Sequence, residues 1–120
     1  MFVTRNTTSL LSPGAIVINN SANPEQVDIF VSGKPTGIVL DGSEVYDMEE
    51  PTRIIGHVAR IVFGPGTSIQ LPAGRVPPGY DGRIARYVVG DNGSLTVATS
   101  ADEHTEGTIV GLNPTWVTWG

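Results

Sequence analysis

The 120-residue chain contains no cysteine. That excludes disulfides, thiolate metal sites and cysteine nucleophiles, and leaves the core or association with partners to hold the fold. Lys34 is the sole lysine, and twelve acidic residues outnumber seven basic ones for a net charge of −5. Binding nucleic acid through phosphate neutralisation needs clustered Lys and Arg, and no basic block occurs, so no nucleic-acid partner is expected. No apolar run approaches the ~20 residues of a membrane-spanning helix. The opening MFVTRNTTSLLSPG lacks the basic, apolar and cleavage regions of a signal peptide, so cytoplasmic synthesis and no membrane partner are expected. Helix signals are scarce as well. With 39% hydrophobic and 16% charged residues, the chain fits one folded domain that buries roughly two-thirds of its unfolded surface.

What the chain has in quantity is turn chemistry: fifteen glycines and nine prolines separate short segments rich in Val, Ile and Thr. Such segments suit a pleated, half-buried surface better than a helix. Nine strands are expected: AIVIN (15–19), VDIFVS (27–32), TGIVL (36–40), RIIGHVARIVF (53–63), TSIQL (67–71), RIARYVV (83–89), SLTVAT (94–99), GTIVGL (107–112) and TWVTW (115–119). In VDIFVS, alternation puts Val27, Ile29 and Val31 on one face and Asp28, Phe30 and Ser32 on the other. Leu95 and Val97 likewise share a face. Turns are expected at 33–35, at Asp41-Gly42, at 64–66 and at Asp91-Asn92-Gly93, where Asp-Gly and Asn-Gly favour the positive φ of hairpins. DGSEVYDMEE (41–50) reads either as a short helix with Asp41 and Glu44 as a capping pair or as a strand SEVYDM. The fold class that follows is all-β: a compact single-domain sandwich or partly open barrel of short antiparallel strands. Residues 1–12, rich in Thr, Asn and Ser, read as an extended N-terminal arm outside a β domain of residues 13–120.

Catalytic constellations are hard to assemble from these residues. ADEHTEG (101–107) collects Asp102, Glu103, His104 and Glu106, but it lies between two expected strands without the alternating oxygen ligands of a calcium loop, and it reads as a solvated loop. His57 sits inside an apolar strand with no neighbouring acid in sequence, and a hydrogen-bonded or interfacial histidine is expected. GPGTS (64–68) is followed by a strand instead of the helix that a phosphate loop needs. No Gly-x-Ser-x-Gly occurs. Neither an enzyme nor a metal, cofactor or small-molecule substrate is expected. Trp116 and Trp119, three apart on one strand, must face opposite sides, so one can enter the core and the other meet a partner.

Residues 81–112 present, in order, RIARYVV, a GDNG turn, SLTVAT, the SADEHTEG loop and TIVGL. This order resembles the small head-decoration, or cement, proteins of tailed bacteriophages, over roughly a quarter of the chain. The resemblance implies a structural virion protein that binds the outer surface of an assembled capsid and stabilises it, with the major capsid protein as partner and a homotrimer as its working form. It further implies an arm that pairs with capsid strands, with Phe2, Val3, Leu10 and Leu11 as anchors. Arg75 and Tyr80 in the Pro/Gly-rich loop (72–82), with Trp119 at the C-terminal end, complete the expected partner-binding set. The alternative is a tail or fibre module that stacks host glycan on Trp119, Tyr80 and Tyr87. A metal-dependent hydrolase using His57 and His104 is a further rival, weakened by the isolation of the two histidines.

Overall fold

In the computed structural model, which describes residues 2–101 and 103–120, all nine expected segments contain strands, joined by a tenth at the N-terminus. β1 (Phe2–Thr7), β2 (Ile16–Asn19), β3 (Val27–Ile29), β4 (Gly37–Tyr46) and β5 (Ile54–Val62) build one sheet. β6 (Ser68–Leu71), β7 (Ala85–Val89), β8 (Leu95–Val97), β9 (Gly107–Val110) and β10 (Thr115–Trp119) build a second. The orders are β1-β5-β4-β2-β3 and β6-β10-β9-β7-β8, antiparallel throughout. Short 3-10 turns occur at Ala73–Arg75 and Asp91–Gly93. The protein is all-β, as its β-branched runs dictate.

The two sheets pack face to face. Ile16, Ile38 and Val62 from the first, with Phe30, meet Ile69, Leu71, Tyr87, Leu95, Ile109, Val117 and Trp119 from the second. Successive side chains on a strand point to opposite faces, so Val17, Val39 and Ile61, each next in sequence to one of these, must be buried elsewhere. They form a second core on the far face of the first sheet, with Leu11, Ala15, Val27 and Ala59. Curling of that sheet makes this possible. Its two edges approach where Asn6 of β1 bridges Gln26, just before β3, and the Asn6 amide donates to the Glu25 carbonyl at 2.9 Å. The first sheet is thus a partly closed barrel and the second lies against its outside.

Two expectations are corrected. Of the expected arm of residues 1–12, Met1 lies outside the described residues and residues 2–12 are not an extended arm: β1 pairs along β5 from Phe2 opposite Val62 to Thr7 opposite His57, and Leu11 is 7% exposed inside the second core. The segment has no partner close in sequence, but β5, some fifty residues away, supplies one. Asp41-Gly42 is not a turn, because β4 runs straight through it with a register shift between Val39 and Asp41. Gly42 serves close approach: a Cβ there would lie 2.3 Å from the Leu11 carbonyl oxygen. The strand alternative for residues 43–48 therefore holds over Ser43 to Tyr46, as a continuation of β4. The alternation in VDIFVS holds past the end of β3 at Ile29: the Phe30 amide donates to the Ile16 carbonyl at 3.0 Å, and Val27 and Phe30 lie in the cores on opposite faces of the sheet. Phe30 enters the core between the sheets, while Ile29 and Val31 stay exposed.

The molecule is elongated, 53 × 32 × 23 Å, and the β4–β5 hairpin accounts for this. From Val62 in the core to Ile54 at the tip is eight residues, about 25 Å of extended chain. Past Thr7, β1 no longer flanks it, and β4 and β5 continue as a two-stranded ribbon.

Candidate partner-binding surfaces

The expected binding residues fall on both sides of the core boundary. Phe2 is half-exposed on β1, with the Arg60 guanidinium 5.6 Å from its ring centre. Arg60 in turn is fixed by two bonds donated to Asp41 on β4, one of them from Nε to Oδ1 at 2.8 Å. This pairing holds the Asp41 carboxyl below its ordinary pKa. Leu10 is half-exposed. Val3 and Leu11 face inward: Leu11 is in the second core, and Val3 lines a cleft of about 150 Å³ with Val27, Ile61 and Phe63. Beyond the Asn6 bridge, β1 is an edge strand.

Arg75 is exposed in the 3-10 turn after β6, and its aliphatic stem lies against Gly14. Tyr80 packs its ring on the core and donates its hydroxyl to the Arg83 carbonyl at 2.6 Å; desolvation leads in raising its pKa. Trp119 is corrected outright: it is 6% exposed and belongs to the core, whereas Trp116 is 40% exposed. Tyr87 is fully buried as well, so two of the three stacking residues proposed for glycan are inaccessible.

The outer face of the second sheet was missed as a surface. Trp116 on β10 stands opposite Gln70 on β6 and Val110 on β9. Ala85 pairs with Ile109, so Ile84, just before β7, extends the line one step past Val110. Ile84 is 75% exposed, and Leu112 is half-exposed nearby. A groove of about 340 Å³ opens at this end of the sheet, lined by Leu71, Pro72, Val76, Leu112 and Pro114. Alternation in RIARYVV does separate Ile84, Arg86 and Val88 from Ala85, Tyr87 and Val89. Both sets are apolar enough to face a core, so nothing local chooses between them.

The hairpin tip was missed too. Val45, Tyr46, Ile54 and Ile55 are exposed there, and Met48 is 97% exposed. The turn is nonetheless ordered by bonds from the Asp47 amide to the Arg53 carbonyl at 2.9 Å and from the Arg53 amide to the Glu50 carbonyl at 2.8 Å. Tyr46 donates its phenol to Glu44 Oε2 at 2.6 Å, which raises its pKa.

The two histidines lie apart in the fold. His57 is on β5 of the first sheet, between Thr7 and Glu44 in register, so tertiary pairing supplies the acid that the local sequence lacks. His104 is in the loop before β9 of the second sheet, highly exposed, with Nε2 3.1 Å from Glu106 Oε1. Asp102 lies outside the described residues. Among the described residues no three His, Asp or Glu side chains converge as a metal ligand set, and no helix is long and apolar enough to cross a membrane. No protein-family model, curated protein or solved structure matches the chain.

Proposed function

We propose that the chain is a structural protein that binds the outer surface of an assembled phage capsid, as a trimer, and stabilises it. The observation that carries this reading is the edge strand β1, whose outer side is left open beyond Asn6 and which keeps Phe2 and, just beyond its end, Leu10 at the surface. An exposed edge offers a row of backbone donors and acceptors to a partner strand, and flanking apolar side chains add affinity without a demanding sequence. The segment is already ordered on β5, so docking costs less conformational entropy than folding a free arm. The order of features in residues 81–112 supports the same reading.

A ligand that binds the assembled capsid better than its dissociated subunits stabilises it by mass action. Calorimetry of expanded, empty phage capsids should therefore show the melting transition rise on addition of the protein and saturate at a fixed stoichiometry. Phe2→Ser and Leu10→Ser should weaken attachment without unfolding the protein. A transition that does not move at saturation overturns the reading, and binding to isolated glycans alone replaces it with the tail or fibre alternative.

A further inference from the structure

On β1, Val3, Arg5 and Thr7 are the covered positions and Phe2, Thr4 and Asn6 the exposed ones, so Arg5 faces the interior of the first sheet's barrel, where the second core lies. Arg53, Arg60 and Arg83 each pair with an aspartate. Arg5 is half-buried yet has no ion pair among the described residues, and it donates one bond, from Nη1 to the neighbouring Thr4 carbonyl at 3.1 Å. A guanidinium with donors to spare suits a carboxylate, which takes two parallel bonds from the fork. Arg5 lines the cleft of about 150 Å³ that opens onto the second core, and its apolar wall is Val3, Val27, Ile61 and Phe63. The mouths of β-barrels are recurrent sites for small ligands, and an apolar cavity of about that size holds a benzene ring. Thr36 adds a polar group to the lining. Its Oγ1 accepts from the Asn19 amide at 2.9 Å, which leaves the hydroxyl proton to donate, with no acceptor among the described residues.

We propose that the cleft binds a small aromatic monocarboxylate, with its ring against Val27, Ile61 and Phe63 and its carboxylate on Arg5 and Thr36. The volume sets the size at a single ring. Phe63 favours an aromatic face over an aliphatic chain through ring–ring contact, and the unpaired guanidinium selects an anion. The chain's net charge of −5 works against anions at long range, so the selectivity is local to Arg5. A ligand of so few atoms in an open mouth binds with roughly millimolar affinity. The site is separate from the capsid reading, which uses the backbone edge of β1 with Phe2 and Leu10, whereas Val3 and Arg5 face the barrel, so the failure of either leaves the other standing.

Benzoate is the probe, with benzyl alcohol as its uncharged counterpart and acetate as the carboxylate without a ring. Amide NMR spectra of the full chain, titrated at neutral pH to ~20 mM, well above a millimolar dissociation constant, should show saturable benzoate shifts at Val3, Arg5, Asn19 and Thr36. Benzyl alcohol should bind at least ~tenfold more weakly, the loss of a charge-assisted pair, and acetate should not saturate. Arg5→Gln should bring benzoate down to the benzyl alcohol level and leave benzyl alcohol binding as in the parent, while Arg5→Lys should restore part of the difference. No saturable benzoate shift at these residues, equal binding of benzoate and benzyl alcohol, or unchanged benzoate binding by Arg5→Gln overturns the proposal. Should Arg5→Gln not fold, the comparison of the two probes on the parent decides alone.

Discussion

Tyr87 on β7 donates its phenolic proton to the Thr118 carbonyl of β10, 3.0 Å away, across the intervening strand β9. The bond exists because the residue beneath it is glycine. Gly107 stands opposite both Tyr87 and Trp119, and a Cβ there would lie 1.9 Å from the Thr118 carbonyl oxygen and 2.8 Å from the Tyr87 hydroxyl. Gly107→Ala must push strands apart and should cost about 2–3 kcal/mol, the range for an overpacked core. Tyr87→Phe removes one buried bond and should cost about 1–2 kcal/mol. Chemical denaturation measures both.

Burial raises the pKa of Tyr87 above its ordinary value of 10.0. In the unfolded chain the phenol ionises first, so above that value the unfolded state has lost a proton that the folded state keeps, and stability falls with pH. The contribution is complete below pH 10 and is lost as the pH rises toward the folded-state value. Melting temperatures taken from pH 8 to 11.5 should drop more steeply for the parent than for Tyr87→Phe. Parallel curves would contradict the assignment.

Leu11 anchors the segment that closes the second core, with its backbone pressed against Gly42. Leu11→Ala should destabilise the protein by about 2–4 kcal/mol, as for other buried leucines. Deleting residues 1–12 should lower the melting temperature further, since it also strips β1 from β5 and exposes Ala59 and Ile61. A dispensable arm would leave the melt unchanged.

The two tryptophans should separate cleanly in fluorescence. Trp116→Phe should remove most of the emission that acrylamide quenches and change stability by no more than about 0.5 kcal/mol, as at other surface positions. Trp119→Ala should cost about 3–5 kcal/mol through the cavity left between the sheets.

Asp41 should titrate below its ordinary value of 3.8 because Arg60 hydrogen-bonds its charged form. The pair supplies stability above that value and loses it as pH falls through the folded-state pKa. Arg60→Gln should return Asp41 to the ordinary carboxylate range by NMR titration, with little change in neutral-pH stability, because both side chains are solvated.

Local chemistry determined by itself that the chain is built of short strands. β-branched runs fit a pleat, and the Gly, Pro and Asn-Gly punctuation ends them, as Asp91-Asn92-Gly93 does between β7 and β8. Odd spacing also required Trp116 and Trp119 to face opposite ways. Which of them faced inward was beyond any local rule, because the strand has apolar side chains on both faces and only the packing of the first sheet against the second distinguishes them. Tertiary structure likewise made a strand of residues 2–7, whose backbone bonds go to β5 far along the chain, and carried β4 straight through Asp41-Gly42, where Leu11 needed the space a side chain would fill. It also placed Glu44 beside His57 and set Ile84 in line with Val110 and Trp116. Each of these depends on register between segments distant in sequence, and register is settled by burying the largest apolar surface at once, a property of the assembled sheets that no single segment carries.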